Sequence, residues 1–175
     1  MNEATAPSVL QEAAMGSEPG PDEATYASHA RKLVSAGRAG ALATLSRRAP
    51  GFPFASVAPY GLLPDGSPTF FLSAMAMHTQ NIAEDPRASL LVMESGAADD
   101  PVALGRVTLL GAVTKVASDA VSAVRADYFE RHPDAKRWES FTDFAFYRMD
   151  VASLYWVGGF GAMGWVEIDA YHRTG

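Results

Sequence analysis

The sequence predicts a mainly β fold, in which a small antiparallel barrel carries helices packed on its outside. Six or seven short segments rich in β-branched and aromatic residues alternate with turn clusters such as Arg-Ala-Pro-Gly and Pro-Asp-Gly-Ser. Three segments at most have helical spacing, which is too few for a parallel sheet with a helix between successive strands. Closing so many short strands into a barrel avoids exposed sheet edges.

The composition fits one globular domain in a reducing compartment. Of 175 residues, 48% are hydrophobic and none is cysteine. Disulfides, thiolate metal sites and a cysteine nucleophile are therefore excluded, and we expect a cytoplasmic protein. No apolar stretch approaches membrane-spanning length and no signal-peptide pattern is present, so we expect no membrane partner.

The charge of the chain is concentrated at its start. Residues 1–23 hold five acids, no Lys or Arg and several Gly and Pro, which predicts a disordered acidic tail before a single domain at 24–175. The net charge of -6 therefore leaves the domain close to neutral. Without a basic stripe, nucleic acid is excluded as a partner.

The predicted elements follow one another as a helix, strands and two further helices. Helical spacing of apolar residues predicts a first helix over 24–38. His78–Glu84 forms a short helix before Asp85-Pro86, and Ser118–Arg131 a longer one with Ser118 as N-cap. The predicted strands are Ala39–Ser46, Pro53–Leu62, Thr69–Ser73, Ala88–Glu94, Arg106–Val116, Phe144–Met149 and Leu154–Gly158.

Several familiar motifs are absent or misleading. The string Gly159-Phe-Gly-Ala-Met-Gly164 matches a dinucleotide-binding fingerprint, but the eleven residues after it cannot supply the helix, strand and acid that such a site needs. It is better explained as a glycine-rich strand corner. The four histidines are scattered, so no metal site is predicted, and no nucleophile elbow supports a hydrolase.

One stretch has the features of a ligand site. Strand alternation puts Ser56, Ala58 and Tyr60 on one face, which is small enough to accept a flat molecule. Ser73 closes the next strand, and 78–81 (His-Thr-Gln-Asn) opens a helix whose free amides suit a phosphate. The alternative is that Thr79 or Ser73 only caps the helix and His78 lies at the surface. Arg106 is either a ligand contact or a solvated edge residue.

Taken together, these residues resemble the FMN-binding split-barrel family related to pyridoxamine 5'-phosphate oxidase. The resemblance extends from about Ala24 to Val166 and looks closest to the branch of haem-utilisation and haem-degrading proteins. The motifs that carry it are Pro53-x-x-Ser56-x-x-Pro59-Tyr60, Leu72-Ser73-x-x-x-x-His78-Thr79-x-Asn81, Arg106-Val-Thr-Leu-x-Gly111, Asp143-Phe144 and Tyr155-Trp156-x-Gly158-Gly159-Phe160-Gly161.

The resemblance implies a homodimer of six-stranded Greek-key barrels with FMN at the dimer interface. The isoalloxazine ring would lie across the strand from Ser56 to Pro59, with Trp156 and Phe160 near the cover of the site. The residues that it implies as cofactor contacts are Ser56, Val57, Ala58, Pro59, Ser73, His78, Thr79, Asn81, Arg106, Trp156 and Phe160.

The resemblance leaves three functions open. The first is an FMN-dependent oxidoreductase of unknown substrate, although Met77-His78 stands where oxidase relatives carry Arg-Lys, which should weaken phosphate binding. The second is a haem-binding or haem-degrading protein with His172 as iron ligand and Asp143 behind it, unless His172 is only a frayed terminal residue. The third is a non-catalytic flavin-binding or sensing module.

Overall fold

The computed structural model describes residues 23–96, 100–159 and 162–174. Within these ranges, eight strands form one antiparallel sheet in the order β2-β1-β5-β6-β7-β4-β3, and β8 pairs with β7. The strands are β1 (Ala39–Leu45), β2 (Pro53–Pro59), β3 (Gly61–Leu62), β4 (Pro68–Ser73), β5 (Arg87–Met93), β6 (Arg106–Lys115), β7 (Phe144–Val157) and β8 (Met163–Val166).

Four α-helices flank the sheet in the described part of the chain. They are α1 (Glu23–Ala36), α2 (Met77–Glu84), α3 (Val121–Arg131) and α4 (Ile168–Arg173), with short 3-10 helices at Pro101–Ala103 and Pro133–Trp138. The predicted mainly β fold with helices outside it is confirmed. The acidic tail proposed for residues 1–23 lies, apart from Glu23, outside the described residues.

Two predicted strands near the end of the chain are one long strand. The predicted break between Met149 and Leu154 is instead a β-bulge, because the register against β6 shifts between Leu110 and Gly111. Gly111 is required there, since a Cβ on it would overlap the backbone carbonyl of Asp150. The strand β7 therefore runs uninterrupted along both β6 and β4.

The helix predictions were correct in position but wrong in two details. Ser118 is not the N-cap of α3, because the helix begins after Ala120, which makes no side-chain capping bond. The C-terminal segment predicted to fray forms α4 instead, anchored by the fully buried Tyr171, whose hydroxyl donates to the Gly66 carbonyl at 3.0 Å. None of the helices in the described ranges is long and apolar enough to cross a membrane.

The main core lies between α1 and the sheet. The apolar face of α1, formed by Ala27, Ala30, Leu33 and Val34, is buried against the sheet, as its helical spacing predicts. Tyr60 is fully buried beneath this helix and donates its hydroxyl to the Val34 carbonyl at 2.7 Å. Burial raises the pKa of Tyr60 to about 12. Because its side chain is fully buried, Tyr60 packs in the core and is not accessible to a ligand.

A second, aromatic core holds the start of β7 against the end of β4. Phe71 stacks on Phe146 with ring centroids 4.6 Å apart, and Tyr128 and Phe129 of α3 meet these rings edge-on. Such offset and edge-on pairs are the preferred aromatic geometries. This packing fixes Ser73, the last residue of β4, beside the segment that enters β7.

Candidate functional site

The first element of the candidate site joins the end of β4 to the start of β7. The Ser73 hydroxyl donates to the Asp143 carboxylate and also accepts the backbone N–H of Met75 at 3.1 Å. The backbone adds a bond from the Ala74 N–H to the Asp143 carbonyl at 2.8 Å. A hydroxyl and a carboxylate are thereby held at fixed positions just before α2.

The second element is a pair formed by β2 and α2. The Ser56 hydroxyl lies 3.0 Å from Nδ1 of His78. Burial lowers the pKa of His78 below its usual value of 6.5, so its imidazole is neutral at pH 7. With Nδ1 engaged by Ser56, Nε2 is the ring nitrogen left for a ligand.

The third element is the first turn of α2. No side chain caps this helix at Ala76, so the structure does not support the alternative in which Ser73 or Thr79 serves only as its cap. Thr79 is 4% exposed, and its buried hydroxyl oxygen has no hydrogen-bond partner in the described chain. Uncapped backbone amides beside an unpaired hydroxyl form an environment that accepts an anion.

Asn81 has a structural role that the sequence did not reveal. Its side chain is fully buried; its amide nitrogen donates to the Thr44 hydroxyl at 2.9 Å, and its amide oxygen accepts the Arg47 backbone N–H at 3.1 Å. Both polar atoms are therefore occupied in tying α2 to the end of β1. The residue stabilises the fold next to the site, and both of its polar atoms already have protein partners.

The four residues predicted on β2 face in two directions. Val57 is 77% exposed and Pro59 is also exposed, whereas Ala58 is buried at 1%. Ser56 is half-buried on the same face as Ala58. The predicted common face of Ser56, Ala58 and Tyr60 is thus real, but it turns into the core beyond Ser56.

Arg106 and Trp156 lie far from Ser73 within one chain. Ser73 pairs with the first residue of β7, and Arg106 pairs with its last residue, Val157. At about 3.3 Å per residue, these positions are separated by up to roughly 40 Å along the strand. The Arg106 guanidinium donates to the carbonyls of Val102 and Leu104, at 3.0 and 3.3 Å.

The structure does not bring His172 and Asp143 together. Asp143 is bonded to Ser73, whereas His172 lies on α4 against Tyr171. Nε2 of His172 is buried and has no hydrogen-bond partner in the described chain. An iron ligand at this atom would require α4 to move. Phe160 lies outside the described residues.

Sequence reasoning missed a pocket that lies between α1 and Trp156. It has a volume of about 530 Å³ and is lined by Tyr26, His29 and Lys32 of α1 together with Glu94 and the indole of Trp156. The signal in the sequence was the spacing of Tyr26, His29 and Lys32, which puts three polar residues on one side of α1. No group of three or more potential metal-binding side chains occurs in the ranges that the structure describes.

Comparison with known proteins finds one family and several individual relatives. A family model described as the CREG β-barrel matches residues 21–173. The chain is 33% identical over 129 residues to the chloroplast haem oxygenase HOZ of Arabidopsis thaliana, covering 74% of this chain and 39% of the plant protein. It is 28% identical over 149 residues to human CREG1, covering 77% and 68% of the two chains.

A solved structure is similar over most of the molecule. The haem-binding protein from Mycobacterium smegmatis superposes with a TM-score of 0.79 at 35% identity, covering 90% of this chain and 62% of that one. The chain spans about two fifths of the plant relative's length. The family match and this superposition confirm the split-barrel resemblance: the chain belongs to the CREG β-barrel family, a relative of the pyridoxamine 5'-phosphate oxidase-like proteins.

Proposed function

We propose that this chain is a haem-binding protein, and that His78 provides the ligand to the iron. The observation that carries this proposal is the Ser56–His78 hydrogen bond, which engages Nδ1 at 3.0 Å and leaves Nε2 of a neutral imidazole. Metal-binding histidines characteristically use one ring nitrogen for the metal and the other for such an orienting bond. Bound haem would supply redox-active iron.

The surroundings of His78 suit an apolar macrocycle. Met75, three residues before His78, is 80% exposed. Two relatives that are about a third identical to this chain over their aligned parts are named for haem, one as an oxygenase and one as a binding protein. An exposed apolar side chain near a neutral imidazole suits the apolar edge of a haem.

Haem titration followed by absorption tests the assignment of the ligand. The unmodified chain should give a saturable Soret band, which His78→Ala removes or shifts. Ser56→Ala should weaken binding by about tenfold, because it frees the imidazole to rotate. His172→Ala and His29→Ala should leave the band unchanged. A band that survives His78→Ala but is lost in His172→Ala would transfer the ligand role to α4.

FMN is a second candidate ligand, which the first turn of α2 supports. The uncapped helix and the unpaired Thr79 hydroxyl offer donors to a phosphate, and the Ser73 hydroxyl lies nearby in the sequence. The weakness of the site is its charge, because Met77 and the neutral His78 supply no fixed cation. We expect FMN to bind more weakly than haem.

A comparison of FMN with riboflavin tests the phosphate site. Binding can be followed by the quenching of flavin fluorescence. If the first turn of α2 binds the phosphate, FMN should bind more tightly than riboflavin, and Thr79→Val should abolish that difference in affinity without unfolding the chain. Equal affinities would refute the phosphate assignment. Flavin binding without oxidation of reduced nicotinamides would favour the non-catalytic module over the oxidoreductase.

A homodimer would complete the site, and one sheet face supports this part of the proposal. A row of directly paired residues crosses six strands, and none of its side chains is buried. It consists of Val57, Ala41, Leu91, Thr108, Tyr155 and Trp165. Val57 and Trp165 at its ends are 77% and 58% exposed. A mostly apolar face of this width is typical of a subunit interface.

Such a dimer would also explain why Arg106 and Ser73 lie at opposite ends of β7. A second copy of the chain could place its Arg106 beside the Ser73 of the first. Sedimentation should therefore show a dimer that Val57→Asp dissociates. If Arg106 acts across the interface, mixing the Ser73→Ala and Arg106→Ala variants should restore ligand binding at some of the sites. A monomer that binds haem fully would overturn the dimer proposal.

A further inference from the structure

The pocket between α1 and Trp156 has no role in the proposed haem site. Its lining residues are distinct from Ser56, Ser73 and His78, and its volume of about 530 Å³ is in the range of small-molecule sites. Trp156 alternates with Tyr155 along β7, so the indole faces α1 while Tyr155 faces the proposed dimer interface.

One wall of this pocket includes an edge of the indole of Trp156, a residue that is 6% exposed. A Cβ on Gly105 would stand 3.2 Å from the indole, and a Cβ on Gly158 would stand 3.1 Å from it. Because both positions are glycine, the backbone can approach the indole closely without a side chain filling the space beside it. The His29 ring lies at 5.7 Å from the indole, tilted by 50°. These two rings suit a flat aromatic ligand.

Two opposite charges line the same pocket. Lys32 lies one turn after His29 on α1 and makes no ion pair or hydrogen bond with the rest of the described chain. The Glu94 carboxylate is fixed by the Gly105 N–H, which donates to Oε2 at 2.9 Å. Glu94 also lies close to the indole, because a Cβ added to Gly105 would be 3.2 Å from the Glu94 carboxylate and 3.2 Å from the indole. A free ammonium and a fixed carboxylate therefore accompany the aromatic wall.

We propose that this pocket binds a small planar aromatic acid that carries an amino group away from its carboxylate. The ring would pack against the exposed His29 ring and the edge of the Trp156 indole that lines the pocket. The carboxylate of the ligand would pair with Lys32, and its amino group would donate to Glu94. Each group in the pocket thereby gains a partner of complementary chemistry. Neither a purely apolar ligand nor a simple anion would satisfy both charges.

Calorimetric titration with three related compounds tests this assignment. The probe is 4-aminobenzoate, which has both polar groups; benzoate lacks the donor, and aniline lacks the acid. We expect saturable binding of 4-aminobenzoate with a Kd of about 1 mM or tighter, and binding about fivefold weaker for the other two. Saturable quenching of tryptophan fluorescence should accompany it.

Substitutions then separate the two charged contacts. Lys32→Gln should reduce the affinity for 4-aminobenzoate and benzoate but not for aniline, whereas Glu94→Gln should affect 4-aminobenzoate and aniline only. Lys115→Gln, a change at an exposed lysine at the end of β6, is the matched control and should change nothing. Equal effects of Lys32→Gln and Lys115→Gln would overturn the proposal, as would the absence of saturable binding.

The proposal can fail or hold independently of haem binding. His78→Ala should leave 4-aminobenzoate binding intact, and Lys32→Gln should leave the Soret titration intact. If His78→Ala abolishes 4-aminobenzoate binding in a chain that still unfolds cooperatively, the ligand occupies the proposed haem site and the second pocket is refuted.

Discussion

Replacing Asn81 tests whether this residue only stabilises the fold or contacts a cofactor. Its fully buried amide bonds to the Thr44 hydroxyl at 2.9 Å and to the Arg47 backbone N–H at 3.1 Å. Asn81→Ala removes both bonds and opens a small cavity. We therefore expect a large loss of stability and, at temperatures where the variant stays folded, a nearly unchanged affinity for haem.

The size of the loss follows from the partners that are left behind. Each lost hydrogen bond contributes about 1 kcal/mol, and a buried group left unpaired costs about 1–3 kcal/mol more. Thr44 is 2% exposed, but its hydroxyl keeps a second, longer bond to the Phe54 carbonyl at 3.3 Å. This second bond reduces the cost of leaving the Thr44 hydroxyl without Asn81. We expect the free energy of unfolding to fall by about 3 kcal/mol, which is a substantial part of the stability of a typical domain.

Urea unfolding of the variant, with the m-value compared to that of the unmodified chain, measures this loss. Gln80→Ala is the matched control, since the neighbouring Gln80 makes only exposed bonds, to Met75 and Arg47. It should cost less than about 1 kcal/mol. The reasoning is refuted if both variants lose the same stability, or if Asn81→Ala stays stable but no longer binds haem.

Three further changes test other parts of the fold and its pH dependence. Gly111→Ala should cost about 2 kcal/mol or more in urea unfolding, because the Cβ meets a β7 carbonyl, whereas Gly96→Ala, with open space around it, should be neutral. Tyr60→Phe should lower the free energy of unfolding by about 1 kcal/mol by removing the bond beneath α1. Burial lowers the pKa of His132 below the value of 6.5 that it has in the unfolded chain. The unfolded chain therefore binds a proton more readily, and the free energy of unfolding decreases as the pH falls below 6.5. His132→Gln should make the free energy of unfolding depend less on pH in a series of unfolding curves.

Local patterns predicted most of the fold because the elements concerned are stabilised by their own residues. The apolar spacing of α1 and the short β-branched strands hold in the structure. The glycine string begins where β7 ends, as expected of a strand corner: Gly159 has a φ of 105° and the Gly158 N–H bonds to the Ala162 carbonyl at 2.8 Å, while positions 160 and 161 lie outside the described residues. A residue in the left-handed region favours glycine for reasons unconnected with nucleotides.

Other features escaped prediction because they depend on distant partners. The segment that forms α4 has six residues, too few to be helical alone, and it is held by the Tyr171 bond to Gly66 more than one hundred positions earlier. The continuity of β7 across its bulge likewise depends on Gly111 of the neighbouring strand. Neither constraint leaves a periodic signal in the segment that it shapes.

The candidate site shows the same division between local and distant information. A motif specifies which residues are near one another in sequence, so the cluster of donors around α2 could be predicted, whereas the bond between His78 and Ser56, 22 positions earlier, could not. A motif also carries no information on which side chains already have partners: Asn81 and Ser73 belong to the same motif, yet Asn81 is bonded to Thr44 and Ser73 to Asp143, 70 positions later. Arg106 shows the same limit, because it and Ser73 were predicted in one site but the sheet register separates them by the length of β7 within one chain.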